Sequence, residues 1–360
     1  MNLARLFPEQ GQSAWLDNLR RDSLVDGSLQ RAITAGIRGL TSNPTIFQKA
    51  ITGSTLYDEQ FADALSRGLS VEDAYWELVT SDIVSACDLF AGVYESSKGV
   101  DGYVSVEVSP SLCHDAGGTI KAARELWKRV DRPNVMIKIP ATDAGLEAIT
   151  TVLSEGINVN VTLIFGIERY RQVAGAHQQG LELLAKNDET KLPHVASVAS
   201  FFISRVDNAI DPLLEGSDVP VGRTAIAQAK LAYQEFLLHL QGPSWTALST
   251  LGAQAQRPLW ASTSTKNPAF SSTLYVDELI GPLTVNTLPD PTIEAFERSG
   301  TVGKTLDRDV ESAREHLEQV KKAGIDVESI ARKLEIDGLT AFQSSFDELL
   351  SSLEFKAASH

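Results

Sequence analysis

Polar and apolar residues alternate along several short stretches of the chain, and helical pattern fills the gaps between them. The clearest stretch is Tyr103-Val104-Ser105-Val106-Glu107-Val108-Ser109, with its valines on one face and Ser105, Glu107 and Ser109 on the other. Asn158 to Phe165 alternates in the same way, setting Val159, Val161 and Leu163 against Asn158, Asn160 and Thr162. Further strands are predicted at Ser13–Asp17, Ile37–Ser42, Val135–Ala141, His194–Phe202, Arg257–Thr263 and Leu283–Thr287. Helical periodicity is predicted at Ser28–Ala35, Gln60–Ser66, Val71–Tyr94, Thr119–Val130, Gly145–Ser154 and Glu168–Leu184, and again to about Leu240. A short helix follows Asp290. From Asp307 the pattern is helical and charged, with Gly324 and Gly338 read as breaks.

Strand–helix alternation on this scale predicts a parallel sheet. About eight strands in about 300 residues fit an α/β protein built as a single (β/α)8 TIM barrel, with extra helices after strand two and at the C-terminus. One domain is expected over residues 1–360, with the barrel over about 13–300 and a helical extension over about 305–356. A doubly wound open sheet is the alternative, but no G-x-G-x-x-G follows the first strand.

The polar residues of these strands share one parity. Val135, Ile137 and Ile139 face one way, and Met136 and Lys138 the other. A lysine inside such a strand is costly to desolvate unless it has partners or a task, and burial favours its neutral, nucleophilic amine. Its plainer reading is a lysine snorkelling from an edge strand to water. On the same interior parity stand Asp17, Asn43, Glu107, Asn160 and Thr162, most of them near the C-terminal strand ends where barrel active sites are built. Each has a plain reading too. Asn43, in Thr41-Ser42-Asn43-Pro44, can be a helix cap. Glu107 can be an ion-pair partner for Lys138, and Asn160 and Thr162 hydrogen-bonded core residues. Together they favour a site, because independent accidents do not all choose the parity of one lysine.

Composition narrows the function. The net charge of -15 argues against nucleic acid and anionic membrane surfaces as partners. It leaves room for small anions, since a few local cations hold a phosphate. No apolar run is long enough to span a bilayer, and no signal-peptide core follows Met1. The only cysteines, Cys87 and Cys113, form no metal or redox spacing, and the six histidines are scattered. A soluble cytoplasmic protein with no metal is expected. The sequence is compatible with a homo-oligomer and does not fix one.

The ordered segments Trp15-Leu16-Asp17, Thr41-Ser42-Asn43-Pro44, Val104-Ser105-Val106-Glu107-Val108, Met136-Ile137-Lys138-Ile139-Pro140-Ala141-Thr142, Asn158 to Phe165 and Ser200-Phe201-Phe202-Ile203-Ser204-Arg205 carry a resemblance. The chain resembles the transaldolases of the longer bacterial type. The resemblance implies a (β/α)8 barrel that moves a dihydroxyacetone unit between phosphorylated sugars, without metal or cofactor. It implies a Schiff base on Lys138, acid–base work by Asp17, and a catalytic water handled by Glu107 and Thr162. It assigns the donor hydroxyls to Asn43, Asn160 and Ser200, and the phosphate to Arg205, Ser262 and a second cation. That cation is commonly arginine; here the segment Ala261 to Asn267 offers only Lys266. The aldolase branch of the superfamily carries a tyrosine near the imine, where this chain has Phe202. A fructose 6-phosphate aldolase and a non-catalytic phosphosugar-binding barrel are the competing readings.

Overall fold

The computed structural model describes residues 1–358. Eight parallel strands close into a barrel in chain order: β1 (Gln12–Asp17), β2 (Ile37–Thr41), β3 (Val104–Glu107), β4 (Val135–Pro140), β5 (Val159–Ile164), β6 (Ser197–Phe202), β7 (Arg257–Ala261) and β8 (Thr284–Leu288). β1 pairs with both β2 and β8, which closes the sheet without edges. The (β/α)8 barrel expected from the alternation is therefore present.

The differences from expectation lie at element ends. β6 starts at Ser197, because Glu189–His194 winds into a 3-10 turn around Pro193 and takes His194 out of the strand. β8 starts one residue late, since Leu283 turns with φ 59°. The extra helices after β2 run over Pro44–Thr52, Asp58–Ser66 and Val71–Ser96. Gly324 does separate two helices, Val310–Lys322 and Val327–Ala358. Gly338 breaks nothing, and lies inside the second of them. A Cβ there would stand 3.0 Å from Leu163 Cδ2, so this glycine allows close packing rather than a turn.

Strand parity sets what fills the barrel. At the N-terminal end, buried Asp101 accepts from Arg38 (2.7 Å), Arg257 (2.9 Å), Ser13 (2.7 Å) and Trp15 Nε1 (3.2 Å). Burial would raise its pKa, but the two guanidiniums hold it below the usual carboxylate range. Trp15 lies against Gly39, where a Cβ would come within 2.5 Å of the indole. This charged and aromatic floor closes one end and leaves the C-terminal end for the site.

The 32-residue C-terminal helix Val327–Ala358 crosses that open end. On one rim Glu335 pairs with Arg169 (3.3 Å), and Glu328 accepts from the Glu168 amide at the start of helix Ile167–Asp188 (3.4 Å). On the other rim Ser345 bonds Thr45 (2.8 Å), Gln48 donates to Glu348 (2.6 Å), and Lys356 pairs with Asp58. Phe346 packs edge-on against Tyr75 at 5.5 Å between ring centroids.

Candidate active site

Lys138 comes from the middle of β4, on a strand buried along its whole length. Its Nζ donates to Glu107 Oε2 on β3 (3.0 Å) and to the Ser42 carbonyl past β2 (3.2 Å). Glu107 and Lys138 are 8% and 5% exposed, so this is a buried ion pair. Both readings of Glu107 meet in one geometry: it is the ion-pair partner of Lys138, and it is placed to exchange a proton with it. Burial raises the Glu107 pKa, with Asp17 adding to it and Lys138 opposing, which makes Glu107 a better proton acceptor than an exposed carboxylate.

Glu107 lines a small pocket with Asn43, Tyr75 and Phe346, whereas a separate, larger cavity of about 150 Å³ stands over Lys138. Among its walls are Asp17, Asn43, Lys138, Thr162, Ser200 and Phe202 from the strand ends. Arg205, Ser262 and Lys266 complete a cationic and hydroxylic side. Asp17 accepts from Thr41 (2.9 Å), and Thr41 bonds Thr287 of β8 (2.7 Å). Burial raises the Asp17 pKa, opposed by Lys138, by the Thr41 hydrogen bond and by Arg205. Thr162 Oγ1 is buried and makes no hydrogen bond to another protein group. Such a hydroxyl is costly unless a ligand or water meets it.

Asn43 is both things its sequence allowed. Its Oδ1 caps helix Pro44–Thr52 by accepting from the Ile46 amide (2.9 Å), and the residue lines the cavity. Asn160 lies one layer down. Its Nδ2 donates to Ser105 (3.0 Å) and its Oδ1 accepts from Ser200 (2.7 Å), so it braces Ser200 beneath the cavity wall. Arg205 opens the short helix Ser204–Ile210, and its guanidinium stands 5.4 Å from the Phe202 ring centroid. Burial lowers its pKa, against the attraction of Asp17. Ser262 has φ 57° and its hydroxyl meets that of Ser204 (2.9 Å), a strained residue held in place beside the cations.

Six wall residues were missed in the sequence: Thr41, Ala261, Ser264, Thr287, Pro289 and Phe342. Thr41 and Thr287 share the interior parity but read as ordinary strand threonines. Phe342 comes from the C-terminal helix, and no strand pattern points to it. Its ring centroid lies 5.6 Å from Lys138 Nζ.

A buried lysine amine, two carboxylates in unlike surroundings and a cationic rim suit imine chemistry on a phosphorylated ketose. The transaldolase/fructose-6-phosphate aldolase family profile matches residues 14–353. The chain belongs to that family. Proteins named transaldolase from Trichodesmium erythraeum and Mycolicibacterium smegmatis are 45% and 47% identical to it. The first alignment covers 96% of this chain and 95% of the relative, the second 98% and 96%. A transaldolase from Neisseria gonorrhoeae is 44% identical, over 95% of this chain and 97% of its own length. Family membership implies phosphorylated sugars as substrates. No helix among the described residues is long and apolar enough to cross a membrane.

Proposed function

We propose that the chain is a transaldolase. It moves a dihydroxyacetone unit from sedoheptulose 7-phosphate or fructose 6-phosphate to glyceraldehyde 3-phosphate or erythrose 4-phosphate. The observation that carries this is Lys138, paired with buried Glu107 and lining a cavity with a cationic rim. Lys138 gives its proton to Glu107, and its free amine adds to the donor ketone. Glu107, with a water held by Thr162, returns and removes protons as the carbinolamine loses water. Asp17 takes the proton of the hydroxyl beside the scissile bond. That bond breaks, the aldehyde phosphate leaves, and the electron pair enters the imine to give an enamine on Lys138. Attack on the acceptor aldehyde and hydrolysis then reverse these steps. Asn43 and Ser200, the latter braced by Asn160, hold the donor hydroxyls, and Arg205, Ser262 and Lys266 hold the phosphate. We read the enzyme as cytoplasmic, and its two unpaired cysteines suit a reducing compartment.

Borohydride added with fructose 6-phosphate is expected to fix a dihydroxyacetone adduct on Lys138, and Lys138→Ala to abolish both adduct and turnover. An adduct on another lysine, with Lys138→Ala active, would sink the mechanism. The aldolase reading is disfavoured by Phe202, which has no proton to give the enamine. Slow release of dihydroxyacetone without acceptor and fast turnover with it is the expected result. Phe202→Tyr should raise release and lower transfer. Equal rates with and without acceptor in the wild type would favour the aldolase.

A further inference from the structure

The enamine on Lys138 has two fates. It can attack an aldehyde, or it can be lost to water. In the second case water's proton goes to the enamine carbon and its hydroxide to the imine carbon. The C–N bond then breaks, freeing the Lys138 amine and dihydroxyacetone. We propose that Phe342, carried by the C-terminal helix outside the barrel, is a specificity-determining residue that keeps water off this intermediate. The inference rests on the Schiff-base reading above.

Three observations meet at Phe342. Its ring is 5% exposed, shares the cavity with Asp17, Thr162, Phe202 and Arg205, and centres 5.6 Å from Lys138 Nζ. At that range the ring face favours a cation on the lysine nitrogen, as ammonium or as iminium, and offers the carbon no proton. One turn earlier on the same face, Gly338 lets the helix lie low: an added Cβ would sit 3.0 Å from Leu163 Cδ2 and 3.6 Å from Arg205 Nη1. The helix is tied to both rims, through Glu335–Arg169 on one and Thr45–Ser345 on the other. The phenyl group is therefore held over the lysine by a fixed element. Phe202 supplies an apolar wall from β6, and Phe342 supplies one from across the mouth. Between them the two rings keep bulk water from the enamine carbon, and leave only the water that Thr162 and Glu107 hold for forming and hydrolysing the imine.

The test is the ratio of dihydroxyacetone release to transfer, measured with fructose 6-phosphate in the absence and presence of erythrose 4-phosphate. Borohydride trapping on Lys138 is run alongside to check that the barrel chemistry is intact. Phe342→Ala is expected to raise the ratio by about tenfold, and Phe342→Leu by less. Gly338→Ala keeps the phenyl group but lifts its helix, and should move the ratio the same way. It carries the test with Phe342→Leu if Phe342→Ala does not fold. Variants that trap like the wild type yet slow release and transfer equally would overturn the proposal. A wild type that neither traps nor transfers overturns the Schiff-base reading instead.

Discussion

Asn43 caps a helix with one atom of its amide while presenting itself to the cavity, so a single substitution confuses two effects. Asn43→Ala should lose about 1 kcal/mol of stability along with donor affinity. Asn43→Ser keeps a capping oxygen and loses the amide N–H groups. It should hold the melting temperature near wild type while raising KM for the ketose. If both variants bind donor normally, the residue is a cap alone. At this scale the positions of the site residues were largely legible. Asp17, Glu107, Lys138 and Thr162 lie on strands, where a period of two sorts inside from outside before any fold is known. Lys266 came from the resemblance, as the cation available between Ala261 and Asn267 for the family's second phosphate contact, and it lines the cavity. Phe342 could not be found this way. Helical periodicity marks the face a helix buries, and says nothing about which catalytic group lies under it.

The end of β5 shows where a pattern of elements misleads. Strict alternation puts Leu163 beside Val159 and Val161, but the β5–β6 register slips between Val161 and Ile164, and Leu163 takes φ 61°. A left-handed leucine is uncommon and strained, and the bulge re-aims its side chain towards Gly338. The same contact explains the misreading of Gly338. Glycine in a helical pattern signals either an end or a close approach, and only the neighbouring element tells which. Gly338→Val should prevent the C-terminal helix from seating on this bulge. Limited proteolysis is then expected to clip first within Val327–Ala358, leaving the barrel intact. Wild-type resistance along that helix would show that Leu163 yields without loss.

Across the whole molecule, two buried groups set opposing pH dependences. His177, between helices and 6.1 Å from Trp245, is pushed down to about 3 by burial, with His239 adding to it. The unfolded chain takes up this proton near pH 6.5 and the folded one does not, so acidification between about 6.5 and 3 destabilises the fold. Asp207 is buried, accepts from the Ala225 amide (2.7 Å) and Tyr275 (2.9 Å), and is raised by burial to about 7. The folded chain keeps this proton between about 7 and 3.8 where the unfolded one does not, so acidification there stabilises the fold. Melting curves from neutral pH down to pH about 5 should therefore rise for His177→Leu and fall for Asp207→Asn, each relative to wild type. Parallel curves for all three would mean that neither group titrates as its surroundings imply.

The cap over the mouth also orders events in time. Thr45 and Ser345 are separated by 300 positions, and so are Gln48 and Glu348. Contacts so distant along the chain cost loop-closure entropy before they return anything, and they form late. The strands that present Lys138, Glu107 and Asp17 are all synthesised before residue 327. A growing chain thus holds its amine and both carboxylates before it holds the ring that shelters them. Selectivity between an aldehyde and water is the last property this polypeptide acquires, and a chain clipped near its C-terminus is the first to lose it.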